Sequence, residues 1–287
     1  MSEKTEDKEQ AIADLAQALR SENKALVRDE VARARRDLEI EQSKHFQELK
    51  CLAQKLLDEN MSLRKMIVDG HFVENMNSRE KLDRQVFFYN AFKALAFNSI
   101  DGDYAEFGCH GCMTFPIAYH EAVRHGHKAR LWAFDSFQGL PPADGPEDEH
   151  PGWVESKMST SMEEFHRRCE KKGVPRYAYT IVPGFYENTL QKKLNIDNPS
   201  NICLAFIDCD MYSSTKYVLK FLLPRLKNGM IIAFDDYHCW SAGQISGERR
   251  AMMEIFSQNE MWRLVPYLQF GWHGASFFVE DRRIFGT

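Results

Sequence analysis

Two short runs in the second half of the chain, Asp208-Cys209-Asp210 and Asp235-Asp236-Tyr237-His238, close the apolar stretches NICLAFID at 201 and GMIIAFD at 229. If those stretches are neighbouring parallel strands, about 4.8 Å apart, their terminal carboxylates converge. Bare carboxylates so close repel one another, and a divalent cation relieves the repulsion. All-oxygen ligands select Mg2+, Mn2+ or Ca2+ rather than zinc. A single aspartate in such a place more often caps the next helix; the grouping is what points to a metal.

Two earlier strand ends carry a different chemistry. Glu106-Phe107-Gly108-Cys109-His110-Gly111 sets an acid before glycines that let the backbone turn beneath a ligand. Asp135-Ser136 follows RLWAFD at 130, and a carboxylate there can accept both hydrogen bonds of a ribose diol. Together these ends suggest a nucleoside-bearing cofactor touching Glu106, Phe107, Gly108, Asp135 and Ser136. Neither GxGxxG nor a Walker loop is present, which favours a cofactor without phosphates. Cys109 and Cys112 have the CxxC spacing of a redox dithiol, but no thioredoxin-like pattern precedes them.

These residues need a sheet to hold them. DYAEFG at 103, RLWAFD at 130, YAYTIV at 177, NICLAFID and GMIIAFD are short apolar runs ending in acid or glycine, separated by helical stretches. That pattern suits buried parallel strands with helices on both faces. RLVPYLQF and ASFFVE add a closing hairpin, so the expectation is an α/β, Rossmann-like, seven-stranded sandwich. A helix from Ser78 to about Ser99, apolar through Leu82, Val86, Phe87, Phe92 and Leu95, opens the globular part. The stretch GLPPADGPEDEHPG from 139 to 152 reads as an exposed loop, either a lid or a surface excursion.

Residues 1–70 lack proline, and their first glycine is Gly70; a long helical extension is expected, followed by a domain over 71–287. Leu49, Leu52, Leu56, Leu63 and Met66 recur at steps of three and four, while Ile12, Leu15, Leu19 and Leu26 keep one register and Val31 and Leu38 another. A coiled coil with a stutter, joining copies into a homo-oligomer, is one reading; a solvated helix is the other. The net charge of −5, without a broad basic block, argues against nucleic acid. No run is long and apolar enough for a membrane span, and an odd count of seven cysteines suits reduced thiols, so a cytoplasmic setting is expected.

The stretches FDSFQGLP (134–141), IVPGFYENTL (181–190), FIDCDMYSST (206–215), LLPRLKNGMIIAFDDYH (222–238) and GERRAMMEIF (247–256) resemble the macrocin O-methyltransferase family over about residues 100–260. The resemblance implies a class I, S-adenosylmethionine-dependent, Mg2+-dependent (or Mn2+-dependent) methyltransferase acting on a hydroxyl of a sugar or glycan. By position it implies Asp208, Asp235 and Asp236 as metal ligands and Glu106, Gly108 and Asp135 as cofactor contacts. Gly184, Phe185 and Tyr186 would lie near the adenine. Here Glu106-Phe-Gly108-Cys-His-Gly111 is shorter than the family's E-x-G-x-x-x-G and lacks its basic residue. The reaction would need a base, and Asp208 and His238 are the candidates. Tyr104, Trp153, Trp240 and Trp272 are candidates for stacking on a sugar face or for packing. Other readings are a catechol or phenol acceptor, and a scaffold in which the domain binds without turnover.

Overall fold

A computed structural model describes residues 76–190 and 199–285, with scattered helical positions between 10 and 55. The chain falls into two units, Met1–Glu74 and Asn75–Thr287. In the first, Leu49 and Leu52 are helical and exposed. The other seam positions, Ile12, Leu15, Leu19, Leu26, Val31, Leu38, Leu56, Leu63 and Met66, lie outside the described residues. No described helix is long and apolar enough to cross a membrane.

The second unit is built on one seven-stranded sheet in the order β3-β2-β1-β4-β5-β7-β6. β1 (Asp103–Phe107), β2 (Leu131–Asp135), β3 (Tyr179–Pro183), β4 (Ile202–Ile207) and β5 (Ile231–Phe234) run parallel. β6 (Trp262–Phe270) and β7 (Gly274–Asp281) form the expected hairpin, with β7 inserted antiparallel against β5. All seven expected strands are present. The order reverses between β1 and β4, and beyond the carboxyl ends at such a switch point ligands collect.

Strand alternation sorts the core into two layers. Tyr104, Leu204, Phe206 and Ile231 face α1 (Met76–Phe97), α2 (Thr114–Arg124) and α3 (Met162–Lys171). Ala105, Phe107, Ile207 and Ile232 face α5 (Tyr212–Leu222) and α6 (Gly247–Phe256); between β3 and β4 lies the short α4 (Tyr186–Thr189). Burying Phe87, Phe88, Ala91, Phe92 and Leu95 at helical spacing holds α1 against the sheet, with Phe87 stacked on Phe270 at 4.6 Å.

Candidate active site

A cleft of about 520 Å3 opens at the switch point. Gly108 forms its floor on the β1 side. At φ +93°, an added Cβ there would lie 1.6 Å from the Asp208 carbonyl oxygen, so only glycine allows β1 and β4 to end so close together. Asp135, at the tip of β2, accepts the Cys109 N–H on Oδ2 and the Phe137 N–H on Oδ1, both at 2.6 Å. Its second lone pairs remain for a ligand's hydroxyls. Ser136, Gly184, Phe185 and Tyr186 also line the cleft, although the Ser136 hydroxyl is engaged with the Gly139 carbonyl at 2.8 Å and the Tyr186 hydroxyl with that of Phe134 at 3.1 Å.

Glu106 and Phe107, expected as cofactor contacts, are not among the lining residues. Strand parity is the reason: Glu106 shares the α1 face with Tyr104, and Phe107 points the other way, stacked on Phe134 at 4.7 Å. The Glu106 carboxyl accepts from the Tyr104 hydroxyl and, at 2.8 Å, from Thr114 Oγ1. Burial outweighs those donors and pushes it up to about 8. Tyr104 is therefore core, as are the paired-looking cysteines. Cys112 meets Cys169 at 3.4 Å rather than Cys109, and burial raises the Cys109 thiol while the Cys169 contact and burial raise that of Cys112, the reverse of what a reactive dithiol needs. The shortened glycine turn is a 3-10 segment, His110–Cys112, with Gly111 and Cys112 at positive φ. Thr160 braces it at Gly111 N, and Arg168 at Gly111 O.

At the β4 and β5 tips, Asp208, Asp210 and Asp236 each bring one carboxylate oxygen within 4.8 Å of the others. Asp235, Asp236 and His273 form a second such group. Burial, reinforced by the neighbouring aspartates, raises the Asp208, Asp210 and Asp236 carboxyls above their ordinary range. Asp236 is fixed by α6: its N–H donates to Glu248 Oε2 at 2.8 Å and its carbonyl accepts from the helix-capping Ser246 hydroxyl at 2.6 Å. Its Oδ2 is buried with no partner, as is Glu248 Oε1. A buried oxygen left unpaired beside two other carboxylates suits a hard cation.

Two residues unassigned at the sequence level thus enter the site. Asp210 stands in the same Asp-Cys-Asp run as Asp208, so its signal was present. Arg84 lies one helical turn before Phe87 and Phe88, on the buried stripe of α1, and a charge on an apolar stripe was its only mark. It donates from Nε to Asp235 Oδ1 at 3.0 Å and from Nη2 to Asp235 Oδ2 at 2.5 Å. His238 is absent from the cleft lining: its N–H donates to the His273 carbonyl and its ring stands edge-on to Tyr237.

The 139–152 loop is a wall of the cleft, contributing residues 139–144. Asp148, 3 % exposed, pins it by accepting from Asp144 N and from Ser213 N at the start of α5, both at 2.9 Å. Trp153 lines both the cleft and an adjoining groove of about 700 Å3, whose far side is residues 241–244. Trp240 and Trp272 are exposed.

The family model for macrocin-O-methyltransferase (TylF) matches residues 15–258. The chain belongs to the macrocin-O-methyltransferase family. The match reaches well into the helical extension, which the motifs at 100–260 do not. Within this O-methyltransferase family, the chain is 28 % identical over 150 residues to the 8-demethyl-8-(2,3-dimethoxy-alpha-L-rhamnosyl)-tetracenomycin-C 4'-O-methyltransferase of Streptomyces olivaceus, covering 49 % of this chain and 54 % of that protein. It is 27 % identical over 172 residues to demethyldecarbamoylnovobiocin O-methyltransferase of Streptomyces niveus, covering 55 % and 62 %. The chain thus spans little more than half the length of these curated relatives. Among solved structures, calicheamicin methyltransferase CalS11 superposes with a TM-score of 0.57 at 18 % identity, over 77 % of this chain and 91 % of that one. The O-methyltransferase NovP gives 0.55 at 22 % identity, over 70 % and 80 %. The fold is that of the class I methyltransferases.

Proposed function

We propose that the chain is an S-adenosylmethionine-dependent O-methyltransferase that methylates a hydroxyl of a sugar or glycan with the help of a divalent cation, Mg2+ or Mn2+. The observation that carries the reading is one cleft with two unlike walls, a glycine floor with a braced carboxylate on one side and, on the other, converging aspartates that include the partnerless Asp236 Oδ2. The relatives named above, one of them a 4'-O-methyltransferase of a rhamnosyl-tetracenomycin, support the acceptor class. Six of the seven cysteines are buried and none is bridged, which agrees with work in the reducing cytoplasm.

The donor supplies an electrophilic methyl group. Asp135 would receive its ribose hydroxyls, Gly108 and Gly184 would let its backbone contacts close in, and Phe185 would cover its base. Asp208, Asp235 and Asp236, with Asp210 beside them, would hold the cation, which when bound lowers the acceptor hydroxyl's pKa and orients it. With His238 away from the cleft, the proton passes to a carboxylate oxygen of Asp208 or Asp210. The 139–144 wall and Trp153 exclude water and orient the acceptor, whose bulk occupies the adjoining groove. The test is calorimetric titration with S-adenosylhomocysteine, followed by mass-spectrometric screening of nucleotide sugars and glycans with Mg2+ and with EDTA. Binding plus EDTA-sensitive methyl uptake is expected. No binding of S-adenosylhomocysteine, or full turnover in chelator, would overturn it.

A further inference from the structure

Acids crowd the described lining of the cleft, and its basic side chains are two, Arg84 and His110. The Arg84 guanidinium is spent on Asp235, at 3.0 and 2.5 Å. His110 is exposed and follows the Gly108 floor on the β1 side. Its Nδ1 lies 3.0 Å from the hydroxyl of Thr160, a buried side chain whose oxygen already accepts the Gly111 N–H at 2.9 Å. Among the described hydrogen bonds that hydroxyl has no other acceptor, so its hydrogen goes to Nδ1 and the neutral ring carries its own on Nε2. The hydroxyl can also turn and accept from Nδ1, so Thr160 holds the ring in either charge state. The charges that act on the ring are Asp135 from β2 and Arg168 from α3, the latter paired with Glu164 at 2.6 Å and donating to Gly111 O; Lys172 of α3 donates to the Cys112 carbonyl instead. Partial desolvation holds the free imidazole below its ordinary value, with Asp135 opposing and Arg168 adding to the effect.

The donor carries a sulfonium, an ammonium and a carboxylate. Its two positive groups suit an acidic cleft, whereas its carboxylate is repelled there unless a hydrogen-bond donor meets it. With the base beside Gly184 at the end of β3 and the ribose on Asp135 at the end of β2, the strand order β3-β2-β1 carries the methionine end over β1, beside His110. We infer that His110 binds the α-carboxylate of that methionine moiety through Nε2 and takes up a proton from solvent as the donor binds. The inference rests on the donor reading proposed above and is independent of the metal. The free ring is mostly neutral at about pH 7. Beside a carboxylate the charged form is favoured, so donor affinity falls as the pH rises through the value of the complexed ring.

Calorimetric titration at about pH 7, in buffers of low and of high ionisation enthalpy, reads this without any turnover. S-adenosylhomocysteine is expected to bind with uptake of a fraction of a proton, and its decarboxylated analogue, which keeps the base, the ribose and the amine, with none. His110→Ala is expected to weaken the first ligand about tenfold and the second by less than about twofold. His110→Gln, which keeps a donor but cannot charge, is expected to recover part of that affinity without the proton uptake. Equal loss of the two ligands in His110→Ala, or unchanged proton uptake in His110→Gln, overturns the inference and leaves the donor reading standing. Absence of S-adenosylhomocysteine binding to the unaltered protein overturns both together.

Discussion

The tips of β1 and β2 differ from those of β4 and β5 in how their polar atoms are satisfied. On the first side both oxygens of Asp135 accept backbone N–H groups, and both oxygens of Glu106 accept hydroxyls. On the second, Asp236 Oδ2 and Glu248 Oε1 have no partner, and burial together with neighbouring aspartate charge holds the Asp208, Asp210 and Asp236 carboxyls above their ordinary range. A satisfied network costs nothing further to keep and works as a rigid cradle. An unsatisfied one stores a penalty that a ligand of the right charge can relieve. One side is thus built to shape a ligand, and the other to capture a charge.

The sharpest way to break that contrast is Asp236→Ala. Removing one carboxylate from the unsatisfied side should lower methyl transfer about a thousandfold, the several kcal/mol that metal activation supplies. The same change should leave the metal-free melting temperature unchanged or higher, since a repulsion is gone; a collapse of the fold would show that the acids are structural. On the cradle side the sign reverses, and Gly108→Ala should cost about 3 kcal/mol or more of stability by denaturant unfolding, because the new Cβ meets the Asp208 carbonyl. Asp135→Ala, which strands two backbone N–H groups at about 1–3 kcal/mol each, should weaken S-adenosylhomocysteine binding at least about tenfold by calorimetry.

Glu106 supplies a pH-dependent version of the same contrast. Its folded carboxyl titrates at about 8, above an unfolded value of about 4.3. Its contribution to stability is therefore complete below that unfolded value and is lost as the pH climbs through about 8. Glu106→Gln keeps an acceptor for Tyr104 and Thr114 and should flatten the fall in melting temperature between about pH 5 and about pH 9. An unaltered slope would mean that the carboxyl is already ionised in the fold. The smallest effect is expected for His238→Ala, less than about threefold on turnover, since the ring is edge-on to Tyr237 and off the cleft; a larger loss in steady-state assays would return it to the list of bases.

Strand ends were legible because burial on both faces leaves an apolar run whose last residue is polar for a reason. All seven strands, the floor at Gly108, the carboxylate at Asp135 and the acids at 208–210 and 235–236 stand where such runs end. What the chain alone could not disclose was direction. Whether Glu106 reaches the cleft depends on which of two layers its strand parity selects, and that is settled by the helices packed on each face. Arg84 and Asp235 are 151 positions apart, a pairing that no local pattern encodes and only the docking of α1 against the β5 tip brings about. Residue type and order determined the strands, the glycine and the acids; tertiary packing decided which acids are neutralised and which remain bare, because a carboxylate's partner is a neighbour in space.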